Sequence, residues 1–96
     1  MAALIMVRDD RDWQSSNGLF DWTLEYLIPR LSDYKTASLL REIIDENLGN
    51  LWIPDLPVEA QEEVYAVLRS GLVSAAAHEL PPAAVDQLRE LVALTY

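Results

Sequence analysis

Carboxylates are the residues of this chain that could do chemistry, because histidine occurs once and cysteine is absent. Glu42 and Glu46 are four residues apart, as are Asp55 and Glu59, and this spacing puts both members of a pair on one side of a helix. Such a pair could act as general acid and general base if its surroundings raised one pKa. The spacing is common on any acidic helix, so a carboxylate-based enzyme or small-ligand binder is one hypothesis and not the favoured one.

Other catalytic and metal-binding patterns are missing from the sequence. His78 ends an alanine-rich segment, and no second histidine completes a zinc motif. No serine lies in a nucleophile elbow, and the three glycines are too far apart for a phosphate-binding loop. The aspartates of segment 8–12 alternate with arginines, which oppose cation binding, and Leu56 stands where a calcium loop beginning at Asp45 needs a bidentate glutamate. We predict no catalytic, cofactor-binding or metal-binding residue.

A block of acidic residues around Trp52 is the strongest functional feature. Between Arg41 and Arg69 no basic residue interrupts it. An aromatic anchor surrounded by one sign of charge is typical of a protein-binding surface. In the alternative interpretation, Trp52 lies in the core and the carboxylates are simply solvated. The predicted partner-binding residues are Glu42, Asp45, Glu46, Trp52, Asp55, Glu59, Glu62 and Glu63.

The net charge of −9 favours a basic protein partner. It disfavours nucleic acid and anionic membrane surfaces, which would be repelled. No apolar run approaches the roughly 18 residues of a membrane span, and no basic region precedes the apolar N-terminal residues as it would in a secretory signal. With cysteine absent as well, we expect a cytoplasmic protein.

The expected architecture is one all-α domain over residues 1–96, a small irregular four-helix bundle. Residues 1–17 are expected to form an extended arm and a turn; residues 2–7 could be a strand, but no convincing second strand offers them a partner. Apolar residues at helical spacing place helices at about 19–28, 33–48, 57–78 and 81–94.

Local signals set the boundaries of these helices. Ser32 is expected to cap the second helix, and Gly49 to end it, since glycine readily adopts a left-handed backbone. Residues 50–56 are expected to form a connector, and Pro57 to start the third helix. Gly71 inside that helix indicates either a close helix crossing or a local break.

We therefore expect a non-enzymatic acidic module that binds a basic protein. Its concrete form is a bacterial immunity-type inhibitor of a basic toxin or nuclease, an analogy that depends on size, charge and missing catalytic groups. A second hypothesis is a structural or regulatory subunit that forms homodimers through Trp22 and Tyr26, which share one side of the first helix.

Overall fold

The chain folds as an α+β protein. A computed structural model describes residues 2–96, and these form a mixed sheet of three strands together with five α-helices. The prediction of an all-α four-helix bundle is therefore wrong. Residue 1 of the predicted arm lies outside the described residues. Across the described part of the chain, buried side chains of the strands and the helices meet in a common hydrophobic core.

The segment predicted as an arm is a β-hairpin. β1 (Ala2–Arg8) and β2 (Arg11–Ser16) pair antiparallel across the turn at 9–10, with Ile5 opposite Trp13. Every second side chain of β1 points into the core, and Trp13 on β2 is buried beside them. The alternation of buried and exposed residues is that of a sheet with one covered face.

The third strand comes from the segment predicted as a connector. β3 (Asn50–Trp52) runs parallel to β1, with Ile5 beside Leu51, and the strand order is β2-β1-β3. A parallel pair needs a crossover connection, and two helices supply it here. β1 is thus the central strand of the sheet, and β3 lies at one edge.

α1 (Asn17–Leu27) is the first helix of the crossover, where the sequence analysis places a helix at 19–28. The Ser16 hydroxyl caps it by accepting a hydrogen bond from the backbone N–H of Leu19 at 3.2 Å. The helix ends in a 3-10 turn that contains Pro29, which cannot continue the α-helical hydrogen bonds.

α2 (Tyr34–Asp45) completes the crossover and is shorter than the helix expected at 33–48. Its cap is Asp33, one residue later than expected, and the Asp33 carboxylate accepts from the backbone N–H of Lys35 at 3.1 Å. After the helix, Asn47 and Gly49 adopt the positive φ angles +52° and +71°, which turn the chain back into β3.

The region predicted as one helix at 57–78 is two helices. α3 (Val58–Arg69) and α4 (Leu72–Glu79) are separated at Gly71, whose φ of +95° is incompatible with a continuous right-handed helix. Of the two interpretations of Gly71, a close helix crossing or a local break, the structure shows the break. α5 (Pro82–Leu94) follows where the sequence analysis places a helix at 81–94.

Two long-range hydrogen bonds attach helices to the buried face of the hairpin. The Trp13 indole Nε1–H donates to the Gln87 carbonyl of α5 at 2.8 Å. The Tyr65 hydroxyl of α3 donates to the Val7 carbonyl of β1 at 2.6 Å. Both side chains are polar only at their tips, so they fill the core and satisfy a main-chain acceptor at the same time.

Candidate partner-binding groove

A surface groove runs between α2 and the segment that carries β3. Its volume is about 240 Å³. The α2 side of the groove contributes Leu39 and Ile43, and Leu48 from the following turn also lines it. The other side consists of β3 with the 3-10 turn after it. The residues that line this side are Asn50, Leu51, Trp52, Asp55 and Leu56.

Apolar side chains are unusually exposed along this groove. Leu39 is 39% exposed, Leu48 is 54% exposed and Trp52 is 45% exposed. Trp52 is exposed because β3 alternates: Leu51 points into the core, so its two neighbours point outward. Large apolar side chains grouped in solvent mark interaction surfaces more often than single exposed ones do.

A second depression of about 300 Å³ continues the groove toward the start of α2. The two depressions share Leu39, Asp55 and Leu56. Lys35 and Asp33 line the far end of the second one. Asp55 therefore borders both depressions.

The position of Asp55 depends on a residue that the sequence analysis did not single out. Gln61 of α3 donates from its side-chain amide to the Pro54 carbonyl at 3.2 Å and to the Leu56 carbonyl at 2.7 Å. These two bonds bracket Asp55 and hold the 3-10 turn against α3. No local sequence pattern predicts that Gln61 holds this turn, because a glutamine is common on any exposed helix face.

The predicted acidic residues of α2 do not all face the groove. Glu42 and Glu46 follow Leu39 by three and seven residues, so they lie on its side of the helix. Asp45 follows Leu39 by six residues and lies on another side. All three acids are exposed. Asp55, Glu42 and Glu46 are therefore the predicted acids that the fold places at or beside the groove.

The predicted acids of α3 are separate from this group. Glu59 and Glu62 are exposed on α3, and neither lines the groove. Glu63 is engaged within the chain: its carboxylate accepts from the Ser32 hydroxyl at 2.6 Å and from the backbone N–H of Ser32 and of Asp33 at 3.0 Å and 3.4 Å. Glu63 thus stabilises the segment that leads into α2.

The pKa values of two carboxyl groups record these local hydrogen bonds. The Ser32 hydroxyl, followed by the Ser32 backbone N–H, lowers the pKa of Glu63. The Thr36 hydroxyl, which donates to Asp33 at 2.7 Å, and the Lys35 backbone N–H lower the pKa of Asp33. Since a lowered pKa keeps a carboxyl group deprotonated at neutral pH, it has no proton to donate as a general acid, and neither shift supports the hypothesis of a carboxylate-based enzyme.

Trp22 and Tyr26 of the proposed self-association face stack with a centroid distance of 5.9 Å. Tyr26 is buried, its hydroxyl donates to the Ser70 carbonyl at 2.9 Å, and the Arg30 guanidinium lies 3.8 Å from its ring centroid. Tyr26 is therefore committed to contacts within the chain. Trp22 is the half-exposed member of the pair, so the homodimer hypothesis now depends on Trp22.

The remaining candidates for chemistry lie apart from one another. His78 is exposed, with its Nδ1 2.9 Å from the Ser74 carbonyl of its own helix. Asp9, Asp10 and Asp12 are exposed at the hairpin turn. Among residues 2–96, no group of three or more histidine, aspartate or glutamate side chains is arranged to hold a metal ion.

Comparisons with protein-family models, with curated proteins and with solved structures find no match to this chain. Within the part of the chain that the structure describes, every helix is too short or too polar to cross a membrane.

Proposed function

We propose that this chain is a non-enzymatic module that binds a basic protein partner through the groove between α2 and β3. The observation that carries the proposal is the grouping of exposed Leu39, Leu48 and Trp52 around the Asp55 carboxylate. Apolar anchors supply most of the free energy of binding at protein interfaces. Surrounding charge selects the partner and speeds its approach.

The concrete form of the proposal is an immunity-type inhibitor that neutralises a basic toxin or nuclease. A net charge of −9 on 96 residues would attract such a partner at long range. The same charge disfavours nucleic acid and anionic membranes as partners. We place this function in the cytoplasm, where the absence of cysteine fits a reducing compartment.

A charge-reversal experiment tests the proposal. The variant replaces Glu42, Glu46 and Asp55 with lysine, and a control variant replaces the exposed acids Glu79, Asp86 and Glu90, on α4 and α5, with lysine. Both variants change the net charge equally, so only the location of the change differs. Glu63 is left intact because its carboxylate holds the start of α2.

The partner is identified by capture on the immobilised chain at low salt, and its affinity is then measured by calorimetry with purified proteins. We expect the groove variant to weaken binding by at least about tenfold, which corresponds to about 1.4 kcal/mol, while the control variant stays close to the wild type. Binding of the wild type should fall as salt screens the charges. Undiminished binding by the groove variant would refute the proposal.

A further inference from the structure

Three consecutive residues of β3 line the same groove. Asn50, Leu51 and Trp52 all contribute to it, although strand side chains alternate between faces and Leu51 is only 2% exposed. The groove therefore runs along β3, which is an edge strand of the sheet.

The pairing of β3 with β1 shows which backbone groups point into the groove. The backbone N–H of Leu4 donates to the Gly49 carbonyl at 2.9 Å, and Leu4 is paired with Asn50. In a parallel ladder with this phase, Leu51 also turns its backbone groups toward β1. The N–H groups of Asn50 and Trp52 and the carbonyl of Asn50 consequently point away from β1, toward the outer edge of the sheet.

We propose that an extended segment of the partner adds to the sheet as a fourth strand at the outer edge of β3, over the groove. This inference rests on the proposed function and specifies how the partner is recognised. Addition of a strand to a sheet edge gains affinity from main-chain hydrogen bonds and specificity from pockets for alternate side chains. The outer edge of β3 offers main-chain hydrogen-bonding groups, and the depressions beside it offer pockets for side chains.

The lining of the groove defines the segment that fits it. Alternate side chains of a strand are roughly 7 Å apart and point the same way, so one can enter each of the two neighbouring depressions. The first depression is bounded by Leu39, Ile43 and Leu48 and suits an aliphatic side chain. Asp55, which borders both depressions, suits a lysine or arginine two residues after the aliphatic residue of the bound segment.

Charge argues against a second copy of the chain as the occupant. Each copy carries a net charge of −9, and the groove is itself bordered by Asp55 and flanked by Glu42 and Glu46. A basic strand would instead be attracted to this edge. The inferred occupant is thus an extended peptide segment in which an aliphatic and a basic residue alternate with polar ones.

The test is a titration of the ¹⁵N-labelled full chain with the acetylated and amidated peptide Lys-Thr-Leu-Thr-Arg-Thr, followed by NMR. We expect the amide signals of Asn50 and Trp52 to shift and their exchange with solvent to slow. Leu39→Arg, which places a cation in the groove, should weaken binding by at least about tenfold. Ser38→Arg, which adds the same charge at an exposed neighbouring position, should leave binding unchanged.

Two N-methylated forms of the peptide separate strand addition from other modes of binding. One form is methylated at the leucine and arginine nitrogens and the other at the threonine nitrogens. In an added strand only one set of N–H groups bonds to β3, so one form should lose binding by at least about tenfold and the other should keep it.

If the two forms bind equally, or if the signals of Asn50 and Trp52 stay in place while the peptide binds, strand addition is wrong. The proposal that the groove binds a basic partner would then still be tested separately by the charge-reversal experiment. If no signal moves at millimolar peptide, the strand-addition proposal is overturned too.

Discussion

Removal of one hydroxyl group tests whether α3 is attached to the central strand. The Tyr65 hydroxyl donates to the Val7 carbonyl at 2.6 Å, and both residues are buried. The register between β1 and β2 shifts between Met6 and Arg8, so Val7 lies where the ladder is interrupted. Tyr65 therefore satisfies a backbone acceptor that the hairpin ladder skips.

Tyr65→Phe keeps the ring, including its contact with the Arg8 guanidinium at 4.7 Å from the centroid, and deletes only the donor. A buried carbonyl left without a partner costs about 1–3 kcal/mol of the free energy of unfolding. In a domain of this size, each 1 kcal/mol lowers the melting temperature by roughly 4–8 °C.

The assay is urea denaturation followed by tryptophan fluorescence, with the m-value expected to stay constant. Tyr34→Phe is the matched control, because Tyr34 is 82% exposed and its hydroxyl removal should change stability by less than about 0.5 kcal/mol. A loss for Tyr65→Phe no larger than that of the control would show that α3 does not hold β1 through this bond.

Three further substitutions test other parts of the structure. Trp13→Phe removes the indole donor to a carbonyl of α5, and urea denaturation should show a loss of about 1–3 kcal/mol. Gly71→Ala places a Cβ at a φ of +95° and 3.2 Å from the Tyr26 hydroxyl, so thermal denaturation should show a loss of about 1–2 kcal/mol or more. Glu63→Gln should destabilise the protein at neutral pH, where the Glu63 carboxylate accepts from Ser32. Because folding lowers the pKa of Glu63, the stabilisation by its carboxylate is fully present above the ordinary pKa of a glutamate and disappears as the pH falls through the lower folded value. The urea midpoints of variant and wild type should therefore converge in acid, and a gap that persists there would contradict this reasoning.

The helices could be placed from the sequence because their signals are local. Apolar residues at helical spacing locate α2 and α5, and Pro29 marks the end of α1. The break at Gly71 was one of two interpretations of that glycine, and the φ angle decides between them. The capping contact between Glu63 and Ser32 joins residues 31 positions apart, beyond the reach of any local pattern.

The sheet could not be placed, because two of its strands carry weak signals. On β2, Trp13 is the one large apolar side chain that points inward, and the next inward position holds Ser15. β3 has three residues, which is too few to display alternation. Without a visible partner, β1 was interpreted as an arm.

The sequence indicates one side of the candidate groove and not the other. Trp52 and Asp55, both named as partner-binding residues from the sequence, are close in the chain and both line the groove. Leu39 and Leu48 belong to the apolar residues at helical spacing in segment 33–48, but these residues cover more than one packing face, and α2 buries mainly Leu40 and Ile43. An apolar stripe wider than one packing face was the sequence signal for a second, exposed apolar surface on this helix.

The central position of β1 also orders the events of folding. The hairpin closes over a two-residue turn, and hairpins form in about 1–10 μs. Pairing of β1 with β3 brings Ile5 beside Leu51. Closing the long loop between these two residues costs more entropy than closing the hairpin turn, so it takes longer. During synthesis, β1 therefore gains one neighbour early and waits for the other until α1 and α2 have been made. In that interval its open side is a hydrogen-bonding edge that can pair with another nascent chain, so the speed at which β3 pairs with β1 governs the risk of aggregation.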